Sequence, residues 1–363
     1  MRWALYNLTA TTAIGGAEIL TWNLARALAA RGEEVVVIGG QGPYVRRVDG
    51  VDVWQFPYRP RDSFPDLGSR ARKLMERLSM APTAAPALRA GGFDAVVIFK
   101  PYDMAPVLWA TRGGRGRVAL WSGGAEFFPS YRSLARRIHC LAAVSAFHAR
   151  QIARYTGLKV RVIYPGLDYQ IFRPSAPEPT LAEAAGIGKG EVVAVCSARL
   201  VALKGIHHAI AALAAAGENL RLVVAGTGEW MGRLKAMARA AGVERRVVFL
   251  GALEQRRLPG LYALADMALV PSTGEEALGL SAAEAMACGV AVVASRLGGL
   301  EELVDGAGVL VPPGQPLALS WAIKALAASP ELRKALGRAG QRRVRRMLSW
   351  DRALEALKEG LWA

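Results

Sequence analysis

The sequence predicts two doubly wound α/β domains, each a parallel sheet with helices on both faces. Three observations carry this reading. Short runs rich in Val, Ile and Leu alternate with helical stretches along the 363 residues. The strand runs are apolar almost throughout, as expected for strands buried on both faces. Between two such series lies a stretch from Tyr164 to Pro179, where Pro165, Gly166, Pro174, Pro177 and Pro179 break the helical period. A chain of this length can hold two ordinary cores.

In the first half, strands are expected at Trp3–Leu8, Val35–Ile38, Val51–Phe56, Ala95–Phe99, Val118–Trp121, Leu141–Val144 and Val160–Ile163. The first of these is followed by Ile14-Gly15-Gly16-Ala17-Glu18, which opens an amphipathic helix carrying Ile19, Leu20, Leu24 and Leu28. In the second half, strands are expected at Val192–Cys196, Leu220–Ala225, Val247–Leu250, Met267–Val270, Val290–Ala294 and Val309–Val311. Two final helical stretches, Glu331–Met347 and Trp350–Leu361, follow the last strand. With no sheet of their own to serve, they are expected to pack back across the first domain.

Composition narrows the function classes. Hydrophobic residues make up 52% and charged residues 21%, which speaks against disorder. No apolar run reaches the roughly 18–20 residues that span a bilayer. The N-terminus reads as a first strand, not a signal peptide, so the cytoplasm is the expected compartment. Cys140, Cys196 and Cys288 are widely spaced in apolar surroundings and form neither a disulfide framework nor a zinc pattern. With only four histidines, no metal site is expected.

The net charge of +16 is unevenly distributed. Residues 1–168 carry 23 Lys/Arg against 12 Asp/Glu, residues 169–332 carry 14 against 15, and residues 333–363 carry 9 against 3. The basic ends suggest an anionic partner. The stretch Tyr58–Met80 mixes Arg59, Arg61, Arg70, Arg72, Lys73 and Arg77 with Phe64, Leu67, Leu74, Met75 and Leu78. It suits an interfacial helix on an anionic membrane surface and equally a solvated amphipathic helix. No motif or aromatic–basic interleaving supports nucleic-acid binding.

Four segments fall just after expected strands, where a doubly wound sheet binds its ligands. Gly15-Gly16 lets backbone approach a ligand closely, although a tight turn uses glycines in the same way. The segment Ser197–Gly205 sets Arg199 and Lys204 between strand and helix, placed to neutralise a diphosphate or simply solvated. Ala225-Gly226-Thr227-Gly228-Glu229 could admit a phosphate or a base. The strongest segment runs from Pro271 to Gly289. There Gly279 opens a helix carrying Glu284, and Glu276 precedes it. Amides of Gly279, Leu280 and Ser281 would point at a ligand, and the two carboxylates offer acceptor sites for sugar hydroxyls. An acidic helix N-terminus that satisfies its dipole is the plainer reading of Glu284 alone.

Together these segments resemble retaining glycosyltransferase family 4. The spacing Glu276 to Glu284, Arg199…Lys204-Gly205, Gly15-Gly16-Ala17-Glu18, Val144-Ser145 and Gly166-Leu167-Asp168 with Phe172-Arg173-Pro174 carry the resemblance over nearly the whole chain. It implies a GT-B fold, two Rossmann-like domains facing across a cleft. Residues 1–168, joined by the C-terminal helix 346–363, would bind acceptor, and residues 169–345 would bind the nucleotide sugar. The basic excess of residues 333–363 would then join that of the first domain.

The resemblance also implies roles. Glu276 would contact the donor sugar, and Glu284 the ribose. Arg199 and Lys204 would hold the diphosphate with the amides of Gly279, Leu280 and Ser281, and Gly226 would line the donor site. Leu253 would lie against the base, while Gly15 and Gly16 would face the donor phosphate and acceptor. A family histidine in the first domain is replaced here by Ser122, leaving Ser122, Gly123 or Glu126 as substitute sugar contacts. The expected partners are a UDP- or GDP-linked sugar donor and a glycan or lipid-linked acceptor in cell-envelope polysaccharide or lipopolysaccharide synthesis. No cofactor and no metal are expected, since no Asp-x-Asp pair occurs. A soluble small-molecule acceptor, or a phosphorylase-like or non-catalytic sugar-phosphate binder on the same fold, are the alternatives.

Overall fold

The computed structural model describes residues 1–13, 15–124 and 126–363. Ile14 of the glycine turn and Ala125 of the loop beyond Ser122 lie outside the described residues. The chain divides into unit 1, Met1–Gly166 with Ser349–Ala363, and unit 2, Leu167–Leu348.

Unit 1 is built from β1 (Arg2–Tyr6), α1 (Gly16–Ala29), β2 (Glu34–Gly40), β3 (Val51–Phe56), α2 (Ser69–Ala90), β4 (Ala95–Ile98), α3 (Met104–Ala110), β5 (Arg117–Ser122), α4 (Tyr131–Ala135), β6 (Cys140–Ala143), α5 (Ala146–Thr156) and β7 (Arg161–Val162). Its seven strands lie in the order β3-β2-β1-β4-β5-β6-β7, all paired in parallel. Unit 2 contains α6 (Pro179–Ala185), β8 (Val192–Ser197), α7 (Ile206–Ala216), β9 (Leu220–Ala225), α8 (Met231–Ala240), β10 (Val247–Gly251), α9 (Leu258–Tyr262), β11 (Met267–Val270), α10 (Leu280–Ala287), β12 (Ala291–Ser295), α11 (Gly299–Val304), β13 (Val309–Val311), α12 (Pro316–Ala328) and α13 (Pro330–Met347). Its six parallel strands lie in the order β10-β9-β8-β11-β12-β13. Every strand expected from the apolar runs is present, within two residues at each end.

The apolar runs explain why each sheet is covered. Val36, Ile38, Val96, Ile98, Val118 and Leu120 join helix residues such as Leu88 and Ile152 in one core. In unit 2 Leu222, Val224, Met267, Leu269 and Val293 meet Ile206, Ile210, Leu213 and Ile323 in another. Among the described residues no helix is long and apolar enough to cross a membrane.

The two final helices part company. The last, α14 (Trp350–Trp362), belongs to unit 1. Its Trp350 ring meets Trp121 edge-on at 6.3 Å, Trp362 meets Trp3 in the same way at 6.1 Å, and a Cβ on Gly166 would collide with Trp350. In contrast α13 stays on unit 2. A Cβ on Gly337 would lie 2.1 Å from the Gly289 carbonyl, and Gln341 donates to the Ala287 carbonyl at 3.2 Å. The small faces of Gly337 and Gly340 let α13 lie close upon α10. The expected pooling of the C-terminal cations with the first domain is thus corrected: Arg333, Lys334, Arg338, Arg342, Arg343, Arg345 and Arg346 are all residues of unit 2.

A second correction concerns Tyr58–Met80. The helix begins only at Ser69 and runs to Ala90 through Pro82 and Pro86. Arg77 and Glu76 are buried, so the helix is not a simple basic face turned to solvent.

Candidate functional site

A doubly wound sheet binds ligands beyond its strand C-termini, at the point where the chain departs in opposite directions from neighbouring strands. In unit 2 that point lies between β8 and β11, and in unit 1 between β1 and β4. Of the segments singled out in the sequence, those of Gly15-Gly16, Arg199–Lys204 and Glu276–Glu284 follow β1, β8 and β11, whereas Gly226 follows β9 and Ser122 ends β5.

In unit 2 the segment after β8 and the segment after β11 are knit together. The Thr273 amide donates to the Leu203 carbonyl at 2.9 Å, and a Cβ on Gly205 would lie 1.9 Å from the Pro271 carbonyl. Gly205 holds φ +65°, open to glycine and strained for other residues. This packing brings Lys204 into an ion pair with Glu276, the same carboxylate oxygen accepting from the Ser272 hydroxyl at 2.7 Å. Arg199 is exposed and has no ion-pair partner among the described residues. The segment thus holds one neutralised cation and one unneutralised cation.

Gly279 caps α10 with φ +91°, and no side chain caps that helix. The amides of its first turn therefore remain as donors. Tyr262 donates its hydroxyl to the Ser281 carbonyl at 3.2 Å and fixes this turn from below. Glu284 is 7% exposed, and burial pushes its carboxyl up to about 8, against a hydrogen bond from Gln255. Tyr262 and Gln255 were not read from the sequence. An isolated Tyr in a helix and a Gln in a loop carry no local signal, and only the tertiary fold aims them at Glu284. Leu253 is half-buried in the same loop as Gln255. Gly226 has a packing reason for its identity, because a Cβ there would lie 1.8 Å from the Ala198 carbonyl at φ +141°.

In unit 1, Gly15 is extended at φ −170°, a conformation any residue adopts. Its side-chain position is taken instead by Glu18, whose Oε2 would lie 2.6 Å from a Cβ on Gly15. Thr9 Oγ1 lies 2.5 Å from Glu18 Oε1 and 3.2 Å from Arg77 Nη2, and Arg77 Nη1 lies 2.5 Å from Asp103 Oδ2. Asp103 is fully buried, and burial outweighs its arginine partner, pushing the carboxyl up to about 6.

Glu126 pairs with Lys73 at 2.9 Å and with Lys100 at 3.9 Å. Burial would raise its carboxyl, but Lys100 and Lys73 prevail and hold it below the usual carboxylate range. Gly123 is exposed in the same loop. Ser122 is enclosed at the end of β5. It is fully buried, and its hydroxyl is committed to the Gly124 carbonyl at 3.1 Å and His148 Nε2 at 3.0 Å. His148 is the residue the sequence reading missed. Ser145 caps α5 by accepting from the His148 amide at 3.2 Å, which turns that imidazole inward beneath β5.

Two parallel doubly wound units, each with a polar cluster at its switch point, define the GT-B class. The family comparison agrees across both units. The model of glycosyltransferase family 4 matches residues 14–171, and that of glycosyl transferases group 1 matches residues 178–343. The chain is 30% identical to a D-inositol 3-phosphate glycosyltransferase of Xylanimonas cellulosilytica over 94% of its own length and 90% of that relative's. Sucrose-phosphate synthase from Thermosynechococcus elongatus shares the fold at TM-score 0.84 and 21% identity, covering 99% of this chain and 97% of that one. HepE of Anabaena, in complex with UDP and glucose, does so at TM-score 0.80 and 21% identity, covering 99% of both chains. This protein belongs to glycosyltransferase family 4 and is a glycosyltransferase.

Proposed function

We propose that the chain is a retaining glycosyltransferase that moves a sugar from a UDP- or GDP-linked donor to a hydroxyl of a glycan or lipid-linked acceptor in cell-envelope polysaccharide or lipopolysaccharide synthesis. The observation that carries this is the arrangement at the unit 2 switch point. An exposed Arg199, a Lys204 already drawn to Glu276 and the uncapped first turn of α10 gather where a diphosphate would need its charge met. Glu284, one helix turn beyond, supplies acceptor oxygens for the ribose hydroxyls. Leu253 lies in the loop that would meet the base.

The reaction follows from that charge pattern. The bond from the anomeric carbon to the diphosphate breaks ahead of attack, and the electron pair leaves with the phosphate. Arg199, Lys204 and the amides of Gly279, Leu280 and Ser281 meet the charge gained there, and one such donor is worth about 3–4 kcal/mol. The acceptor oxygen bonds to the same face of the sugar, and its proton passes to the departing diphosphate. Glu276 positions the sugar and, with Lys204 drawn to phosphate, is released from its ion pair. Neither a protein nucleophile nor a metal is needed, since cations and amides carry the neutralisation. The excess of positive charge in unit 1 favours acceptors held at an anionic membrane surface, on the inner face of the cell membrane.

Thermal-shift and hydrolysis screening with UDP-, GDP- and ADP-sugars tests the reading. One nucleotide sugar should raise the Tm and be slowly hydrolysed. In Arg199→Ala, turnover should fall by about 10²–10³ with weaker donor binding. Donor binding as tight as wild type in that variant would remove Arg199 from the phosphate.

A further inference from the structure

Two neighbouring helices of unit 2 turn an almost uncharged surface outward. α7 and α12 lie side by side over one core, which Ile210, Leu213, Ile323 and Leu326 share. Every exposed position of α7 is an alanine: Ala211, Ala214 and Ala215. The exposed positions of α12 are Leu317, Trp321, Lys324, Ala325 and Ala328. Leu317 is 61% exposed and Trp321 67%. The adjoining helices differ sharply. α8 exposes Arg233, Lys235 and Arg239, and α13 exposes Lys334, Arg338 and Arg342. A contiguous apolar surface rimmed by charge in this way marks an interaction site.

Charge and shape decide what covers it. An acidic protein would find only Lys324 to meet on this face. A bilayer gains from bulky side chains with cations beside them, and apart from Leu317 and Trp321 the face offers alanine methyls. A second copy of the chain fits better. The net charge is +16, so two copies repel wherever their cations face each other. On the α7–α12 face they meet with one cation apiece, and the long Lys324 stem carries its ammonium to the rim. Interface cores are depleted of charge in the same manner.

The shape is self-complementary as well. The large side chains stand in the first half of α12, and the alanines lie in its second half and along α7. A two-fold axis across α12 turns one copy end for end. It sets Leu317 and Trp321 of each copy on the alanines of the other, knob into hollow.

We propose that the α7–α12 face of unit 2 is a homodimer interface, in which two copies pack end for end about Trp321. The two helices give a face about 20 Å long and about 20 Å wide. That is about 400 Å² of footprint per copy, below the ~800 Å² per partner of a standard interface, so the dimer is weak and concentration-dependent.

Sedimentation equilibrium of the full chain, loaded from about 1 to 200 µM, reads the association directly. Wild type should pass from monomer to dimer over this range and keep doing so at high salt. Trp321→Lys and Ala325→Glu should each raise the dimer Kd at least about tenfold with unchanged Tm, since both positions are exposed. The end-for-end arrangement sets position 321 against position 325. An equimolar mixture of the two variants should therefore recover heterodimers, which general damage to either chain would not give. Lys334→Glu on α13 should leave the dimer as it is. Wild type that stays monomeric at the highest concentration, a dimer that both variants retain, or a mixture that remains monomeric would overturn the proposal. If wild type is monomeric and floats with anionic vesicles while Ala325→Glu does not, the face belongs to a bilayer instead.

Discussion

The two units set their polar residues at the same topological point, yet they build it differently. In unit 2 the site comes from two loops that leave adjacent strands, β8 and β11, and its members lie at or near the surface: Arg199 is exposed and Lys204 is 26% exposed. In unit 1 the equivalent loops after β1 and β4 meet a third element, α2, which drives Arg77 into the interior against Asp103. One site pairs Lys204 with Glu276 near the surface and leaves Arg199 exposed beside them. The other is a network that runs from buried Asp103 through Arg77 and Thr9 to the half-buried Glu18. Under the proposed reading a diphosphate would take the place of the Lys204–Glu276 ion pair, which its partial exposure allows.

The largest test of this contrast is Arg77→Met. It takes from buried Asp103 its hydrogen-bonded cation, which costs about 3–5 kcal/mol where a buried pair loses one member. Urea denaturation should also show a pH trend. Burial already places Asp103 at about 6, above its ordinary 3.8, so the folded state holds this proton more tightly than the unfolded state. The group's contribution therefore falls as pH rises from about 4 through 6. Without the guanidinium the carboxyl moves higher still, and the variant should lose more at pH 8 than at pH 5. A loss under about 1 kcal/mol would mean that the unit 1 cluster is held no more firmly than a surface pair.

Among the described residues of unit 2, Glu284 is the buried carboxylate that the contrast must accommodate. Burial raises it to about 8, so the ligand-free protein holds it protonated near neutrality and loses stability as pH rises from about 4.5 to 8. Glu284→Gln should stabilise the ligand-free protein by on the order of 2 kcal/mol at pH 8, read as a higher Tm. The same variant should lose the Tm rise given by the donor nucleotide. In wild type, nucleotide binding should tighten from pH 6 to 9 as the carboxylate form is populated. A Glu284→Gln variant with unchanged Tm at pH 8 would show that the carboxyl is better solvated than its burial implies.

What was legible in the sequence follows the same division. The sheets were legible because strands buried on both faces must be apolar throughout, and each such run, from Val51–Phe56 to Val309–Val311, is a strand. Lys204 and Glu276 were legible as separate residues in loops after strands. Their pairing was not, since 72 residues separate them and only the parallel β8–β11 neighbourhood joins them. Arg77 was read as one of many cations in a basic stretch. Nothing local distinguishes it from Arg72, because its partner Asp103 lies on another element. Ser122 was read from its place after a strand, but which way its side chain faces depends on the pleat and on His148 from α5. The resting place of α13 was also missed. Helix order does not say which neighbour a glycine face, here Gly337 and Gly340, will fit.

Two glycines sharpen the comparison at smaller energies. Gly205 is required by conformation and by contact, so Gly205→Ala should cost about 1–2 kcal/mol from backbone conformation alone, with a further loss from displacing the Pro271 carbonyl. Donor binding should fall with it, because the displaced loop carries Ser272 and Glu276. Gly15 has no conformational need, and only a side-chain oxygen of Glu18 fills its space. Gly15→Ala should change stability by no more than about 0.5 kcal/mol. Denaturant midpoints of the two variants, measured side by side, check this. A Gly15 substitution as costly as that at Gly205 would mean that Glu18 cannot turn aside, and that the unit 1 network is stiffer than its hydrogen bonds indicate.

Another small effect is expected where unit 1 is joined by its distant segment α14. Lys358 pairs with Glu33 at 2.6 Å, and the N-terminal ammonium meets the same carboxylate at 2.8 Å. Burial would raise the Glu33 carboxyl, but these partners prevail and hold it low. Lys358 is nevertheless 39% exposed, so solvent screens the pair. The helix is fixed chiefly by apolar packing, with Leu354, Leu357 and Leu361 buried and Trp350 and Trp362 set against tryptophans of the sheet. Lys358→Ala should therefore cost less than about 1 kcal/mol, and less again at high salt. Trp3 Nε1, 3.3 Å from Glu33 Oε2, remains as a donor to that carboxylate. A loss of several kcal/mol in Lys358→Ala would place α14 with the Arg77–Asp103 pair, as a segment held by buried charge.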